Sequence, residues 1–158
     1  VVTSALDLSR EAPPRGFGFL VPRTEGLRTL GTLFSSSLFA GRAPEGKALL
    51  TTFVGGATEP EIVDWPDEQV WETVGSELTR VLGLSGGIEP LRLFRHRRAI
   101  PQYQLGHRAW RENVRRSLER LPGVFLTGNY LDGVSVPATM EHGHRTGDAV
   151  LDYIGRKQ

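Results

Sequence analysis

The chain has 158 residues, a formal charge of +1, ordinary apolar and charged fractions, and no cysteine. That length suits one domain or part of a larger one, and the whole-chain charge by itself names no partner. The cysteine count excludes disulfides, thiolate metal sites and a cysteine nucleophile, and no apolar run is long enough to span a bilayer.

Val1 in place of an initiating Met predicts a processed chain or a piece of a longer one, and residues 1–15 carry no signal-peptide pattern. Val1 to Leu8 reads as a strand. Pro13 and Pro14 make residues 11–16 a loop, because proline cannot donate to a ladder. Phe17 to Val21 is a short strand closed by Pro22. Leu30 to Ser37 is the next, ending on three serines. Lys47 to Gly55 is β-branched and aromatic enough to be another. Short loops between them predict an antiparallel meander.

The period then changes. Val70, Trp71, Val74, Leu78, Val81 and Leu82 recur at helical steps, so a helix starts near Asp67 and closes at Gly83. Leu91 to Arg95 reads as a strand running into Ala99 to Tyr103. Trp110, Val114, Leu118 and Leu121 mark a second helix, ended by Pro122-Gly123. Val124 to Thr127 is expected as a short strand buried on both faces. Residues 128–133 turn, and Pro137 opens a final helix with Met140, Gly147, Leu151 and Ile154 along one face. The fold class expected is α+β: a meander with two or three packed helices over residues 1–121. A strand-turn-helix over residues 122–158 follows, built like the closing piece of a nucleotide-binding α/β domain.

The chemistry-bearing candidate is the segment 124–143. A strand, a glycine turn and a helix start together offer unpaired N–H groups and positive dipole charge. These suit a pyrophosphate or an electron-rich ring edge. Gly128 and Gly133 are expected to let the backbone approach a flat ligand, and Asn129 offers a donor and an acceptor. An ordinary packed strand-turn-helix is the plainer alternative.

No G-x-G-x-x-G lies between a strand and a helix, and Gly83 to Gly87 follows a helix, the wrong order for phosphate binding. The arginines between Arg92 and Arg120 read as a solvated face. An anionic substrate or an acidic membrane surface is the functional alternative, and nucleic acid is ranked last. His142 and His144 point apart on one helix and make no metal pair. His96 and His107 read as structural. Ser35 to Ser37 lack a nucleophile elbow, and Glu59 and Glu61 show no sign of a tuned acid/base pair.

Five segments in order resemble the FAD-type protoporphyrinogen oxidases of plants and bacteria, within the amine-oxidase-like flavoprotein superfamily. They are Gly16 to Pro22, Phe34 to Gly46, Leu49 to Thr58, Ala99 to Tyr103 with Gly106-His107, and Gly128 to Val134. The resemblance implies a C-terminal part of a flavoenzyme that oxidises protoporphyrinogen IX with FAD and oxygen. It implies that Gly128, Asn129, Gly133, Val134, Ser135 and Val136 lie against FAD, that no catalytic side chain or metal is supplied here, and that the meander floors a porphyrinogen cavity. The N-terminal FAD-binding half with the family's glycine fingerprint is absent, so the chain is expected to be inactive alone. His96 stands where the family commonly has tryptophan, and no cysteine lies near Thr139. A non-catalytic porphyrin- or partner-binding domain and a coproporphyrinogen III oxidase remain as alternatives. Exposed apolar surface predicts a homodimer, and the expected location is cytoplasmic, peripheral to the inner membrane.

Overall fold

A computed structural model describes residues 1–156; residues 157 and 158, the end of the expected second domain, lie outside the described residues. The chain divides into two compact units, Val1–Arg97 and Arg98–Gln158.

The first unit is built on a five-stranded sheet. Its strands are β1 (Val2–Asp7), β2 (Gly18–Leu20), β3 (Thr29–Leu33), β4 (Lys47–Val54) and β5 (Glu89–Leu93). The order is β2-β3-β4-β1-β5, and every pairing is antiparallel. The meander read from the sequence is β2-β3-β4. The first strand in the chain joins it beside β4 and becomes central, with Leu6 opposite Ala48 and Val2 opposite Thr52.

Period-two alternation decides which face is inside. Ala48, Leu50 and Thr52 of β4 are buried, while Lys47, Leu49 and Thr51 between them are less so. Helix α2 (Asp67–Leu82) covers that face with Val70, Val74 and Leu78, four residues apart on one stripe. With Val2, Leu6, Phe34 and Ile62 they make one core. Glu77 ties the helix to β3: its two carboxylate oxygens accept from Arg28 N and Thr29 N, each at 2.8 Å. Gly83 closes α2 in the left-handed conformation, φ 66°, donating its N–H to Thr79 O.

The serine run departs from expectation. β3 ends at Leu33, and α1 (Ser35–Leu38) is a single helical turn. Each serine hydroxyl has a use that a ladder would deny it. Ser35 Oγ meets Thr51 Oγ1 at 2.8 Å, Ser36 Oγ accepts from Leu49 N at 2.9 Å, and Ser37 Oγ donates to Pro14 O at 2.7 Å. Local side-chain bonds of this kind compete with strand pairing.

The second unit holds α3 (His107–Glu119), α4 (Val136–Gly155) and the segment between them. It begins at Arg98 and takes α3 with it, ahead of the boundary expected between 121 and 122, because α3 bonds to the turn that follows rather than standing apart. Val124 to Thr127 corrects the sequence reading. The segment forms no strand, and Val124 and Leu126 are exposed rather than buried on both faces. A ladder needs a neighbour, and among the described residues none pairs with it. Leu131 is this unit's one buried hydrophobic among the described residues. Met140, Leu151 and Ile154 of α4 stand exposed. Among the described residues no helix is long and apolar enough to cross a membrane.

The loop after α2 is held from a distance in sequence. Glu11 Oε1 accepts from Gly86 N at 2.6 Å, from Ser85 N at 2.7 Å and from Ser85 Oγ at 3.0 Å. The Gly86 N–H and then the Ser85 bonds hold the Glu11 carboxyl below its usual range. Folding therefore favours the charged form. Its contribution is complete above the ordinary carboxylate pKa and is lost as pH falls through the lowered folded value. Glu11→Gln is expected to flatten the acid limb of stability. Urea midpoints of the two proteins should converge as the pH drops below the carboxylate range and separate above it; parallel curves would exclude this role.

Candidate functional site

The turn 128–135 and the first turn of α4 form the candidate site. Gly128 and Gly133 have φ of 142° and 70°, the left-handed half of conformational space that side chains avoid. Ser135 caps α4, its hydroxyl accepting from Ala138 N at 3.3 Å. Thr139 Oγ1 lies within donor reach of Gly133 O at 3.0 Å and Ser135 O at 2.9 Å. Pro137 brings no N–H to the first helical turn. The N–H groups of Val134 and Val136 have no protein acceptor among the described residues. Val134 is 46% exposed and Val136 73%. Two open donors thus stand at the positive end of a 20-residue helix. That arrangement can receive an electron-rich ring edge or a phosphate oxygen.

The glycines also have a packing purpose within the turn. A Cβ on Gly133 would sit 2.5 Å from Ala138 Cβ, and one on Gly128 would sit 2.7 Å from Tyr130 Cε1. Both spaces are already filled by the protein's own side chains. The glycines close the turn upon itself, and the approach to a ligand is left to the amides of Val134 and Val136. Asn129 is half-buried, and its side-chain amide has no hydrogen-bond partner among the described residues.

Four side chains before and within α3 hold this turn, and the sequence reading did not connect them to it. Tyr103 Oη donates to Asn129 O at 2.5 Å. His107 Nε2 lies 3.2 Å from Leu131 O. Trp110 meets the Tyr130 ring edge-on, centroids 6.5 Å apart. Arg111 pairs with Asp132 at 3.1 Å. The available signal was the spacing of His107, Trp110 and Arg111, which places them on one stripe of the helix.

His142 Nδ1 meets Thr127 Oγ1 at 3.0 Å, while His144 lines a separate surface with Met140 and Leu151. Among the described residues no three acidic or histidine side chains converge to hold a metal. Of the basic stretch, Arg95 pairs with Asp67, Arg97 with Asp64, and Arg115 and Arg116 with Glu112. The Arg115 bond holds the Glu112 carboxyl below its ordinary range, and Arg115 is raised in return. Arg92, Arg98, Arg108 and Arg120 have no ion-pair partner among the described residues.

Residues 4–151 match the family described as flavin containing amine oxidoreductase. A chloroplastic protoporphyrinogen oxidase of Nicotiana tabacum is 37% identical over 148 residues, covering 90% of this chain and 27% of that protein. A coproporphyrinogen III oxidase of Bacillus subtilis is 30% identical over 140 residues, 88% of this chain and 30% of that protein. A crystal structure from Exiguobacterium sp. 255-15, described as a candidate protoporphyrinogen oxidase, aligns with TM-score 0.74 at 25% identity. It covers 96% of this chain and 34% of that one. The chain therefore spans only about a quarter to a third of the length of these relatives.

Two glycine substitutions should separate the turn from the helix behind it. Gly133→Ala combines a left-handed φ with a filled Cβ position and is expected to lower stability by about 2 kcal/mol or more. Gly147→Ala, where nothing lies within 4 Å, should raise it by roughly 0.5–1 kcal/mol through helix propensity. Thermal melts followed by far-ultraviolet circular dichroism would check both signs.

Proposed function

The chain belongs to the flavin-containing amine oxidoreductase family, and on that premise we propose that it is the C-terminal part of an FAD-dependent protoporphyrinogen oxidase of haem biosynthesis. One observation carries the reading: the family match, residues 4–151, includes a turn whose Val134 and Val136 amides are open at a helix N-terminus. Gly128, Asn129, Gly133, Val134, Ser135 and Val136 are the residues proposed to hold FAD. Gly128 and Gly133 fix the turn, and Ser135 caps the helix and sets where its dipole points. The Val134 and Val136 amides donate to acceptor atoms of the cofactor, and the free amide of Asn129 can donate and accept beside them. FAD, when bound, supplies the electron-transfer chemistry by which a porphyrinogen is oxidised at the expense of oxygen.

The chain contributes orientation and exclusion of water, and the rest of the clamp comes from sequence that its relatives have beyond the matched region. Coproporphyrinogen III is the second substrate reading, supported by the Bacillus subtilis relative. The exposed Met140, Leu151 and Ile154 of α4 support self-association of the chain on its own. Arg108 and Arg120, exposed and outside any ion pair within 4 Å among the described residues, support contact with an anionic membrane surface from the cytoplasmic side.

Reconstitution tests the assignment. The chain is mixed with the portion of the tobacco relative outside the match, in the presence of FAD, and porphyrin fluorescence is followed from protoporphyrinogen IX. FAD-dependent fluorescence that neither piece gives alone is expected, reduced about tenfold or more by Gly133→Ala. No gain on mixing, with both pieces folded, would sink the reading.

A further inference from the structure

Residues 129 to 132 are gripped one by one. The Asn129 carbonyl takes Tyr103 Oη, the Tyr130 ring meets Trp110, the Leu131 carbonyl faces His107 Nε2, and the Asp132 carboxylate pairs with Arg111. The gripping groups are themselves locked together. Tyr103 and His107 stack nearly parallel, centroids 4.1 Å apart and 6° between planes, and His107 stacks on Trp110 at 5.3 Å. Gly106, with φ of 90°, lets the chain fold back so that Tyr103 lies over the helix it precedes. Within the turn one main-chain bond is made among the described residues, Leu131 N to Gly128 O at 3.0 Å. A turn with one bond of its own takes its shape from whatever binds its carbonyls.

We propose that Tyr103 and His107 are positioning residues: by binding the Asn129 and Leu131 carbonyls they set the turn that keeps the Val134 and Val136 amides open to a ligand. The two rings have distinct tasks within this. Stacking aligns them, and a proton on each, the phenol's and the one on Nε2, makes the bond. Arg111 and Trp110 add attraction at the exposed rim, where an ion pair is worth little and an edge-on ring contact is adaptable. The two carbonyl bonds fix direction as well as distance. The proposal rests on the flavin reading for the identity of the ligand and on the geometry alone for the shape of the turn.

The test uses nitrogen-15-labelled chain and reads amide shifts and hydrogen exchange. Tyr103→Phe and His107→Phe keep a ring in the stack and remove one donor each. Each is expected to speed exchange at the Leu131 amide roughly three- to tenfold and to move the Val134 and Val136 amide signals. Val74 and Leu78, in the core of the first unit, should not change. His107→Gln restores a donor near Nε2 without the ring and is expected to return the Leu131 exchange toward the parent value. A role in bulk packing alone would make His107→Gln the worse variant. Parent-like signals at Val134 and Val136 in both phenylalanine variants, or failure of the glutamine rescue, would overturn the proposal. If His107→Phe does not fold, Tyr103→Phe, which loses a single oxygen, decides the matter by the same signals. FAD added to the parent chain together with the rest of a relative gives the separate check. If the Val134 and Val136 signals ignore FAD while the variants still shift them, the flavin reading fails and the positioning role stands.

Discussion

A turn has few bonds of its own, and this one is shaped by the carbonyl hydrogen bonds that Tyr103 and His107 make to it. The rest of the site follows from that constraint. With Asn129 O and Leu131 O engaged, Leu131 is turned inward as the unit's buried anchor, and Gly128 and Gly133 are driven into left-handed conformations at either end. The chain then leaves Gly133 against Ala138, close enough that a methyl group would collide. Ser135 can cap, α4 can start, and two amides are left over. A side chain gripped by packing and hydrogen bonds can hold a binding group to the tolerance that ligand recognition needs.

The two units solve the burial problem differently. In the first, sheet and helix close on each other, and nine hydrophobic residues share one core. Of its buried hydroxyls, those of Thr32 and Thr52 meet at 3.0 Å inside the sheet, while Ser4 Oγ and Thr29 Oγ1 have no hydrogen-bond partner among the described residues. In the second, hydrogen bonds, ring stacking and ion pairs carry what a core would otherwise carry. Val124, Leu126, Met140, Leu151 and Ile154 remain in solvent. Such a unit gains little from apolar burial, so loss of a single polar contact should loosen it more than an equivalent loss would loosen the first. The relatives that this chain matches are three to four times its length, and in them more sequence is available to lie against such surfaces.

Family membership rests on the match over most of the chain, and the candidate site rests on local geometry. The match runs across both units, from residue 4 to residue 151. The geometry singles out Val134 and Val136 because their donors are open, without reference to any relative. It also redistributes the roles. The glycines that a sequence reading assigns to ligand approach are occupied by the protein itself, and two residues outside the turn govern its shape.

The sequence determined the elements that repeat. The four-residue spacing of Val70, Val74 and Leu78 fixes α2, the alternation along β4 fixes its inner face, Gly83 and Pro137 mark a helix end and a helix start, and the five ordered family motifs fix kinship. Those signals are local, and neighbours in sequence suffice to express them. Tertiary structure alone decided what depends on distant partners. The first strand became central because β4 and β5 flank it. The serine run left the sheet because Thr51, Leu49 and Pro14 offered its hydroxyls better partners. Val124 to Thr127, apolar enough to be a strand, formed none, since a strand exists only through a second strand's hydrogen bonds. The grip of Tyr103 and His107 on carbonyls more than twenty residues away belongs to the same class: periodicity places a ring on a face, and only the folded chain shows what that face holds.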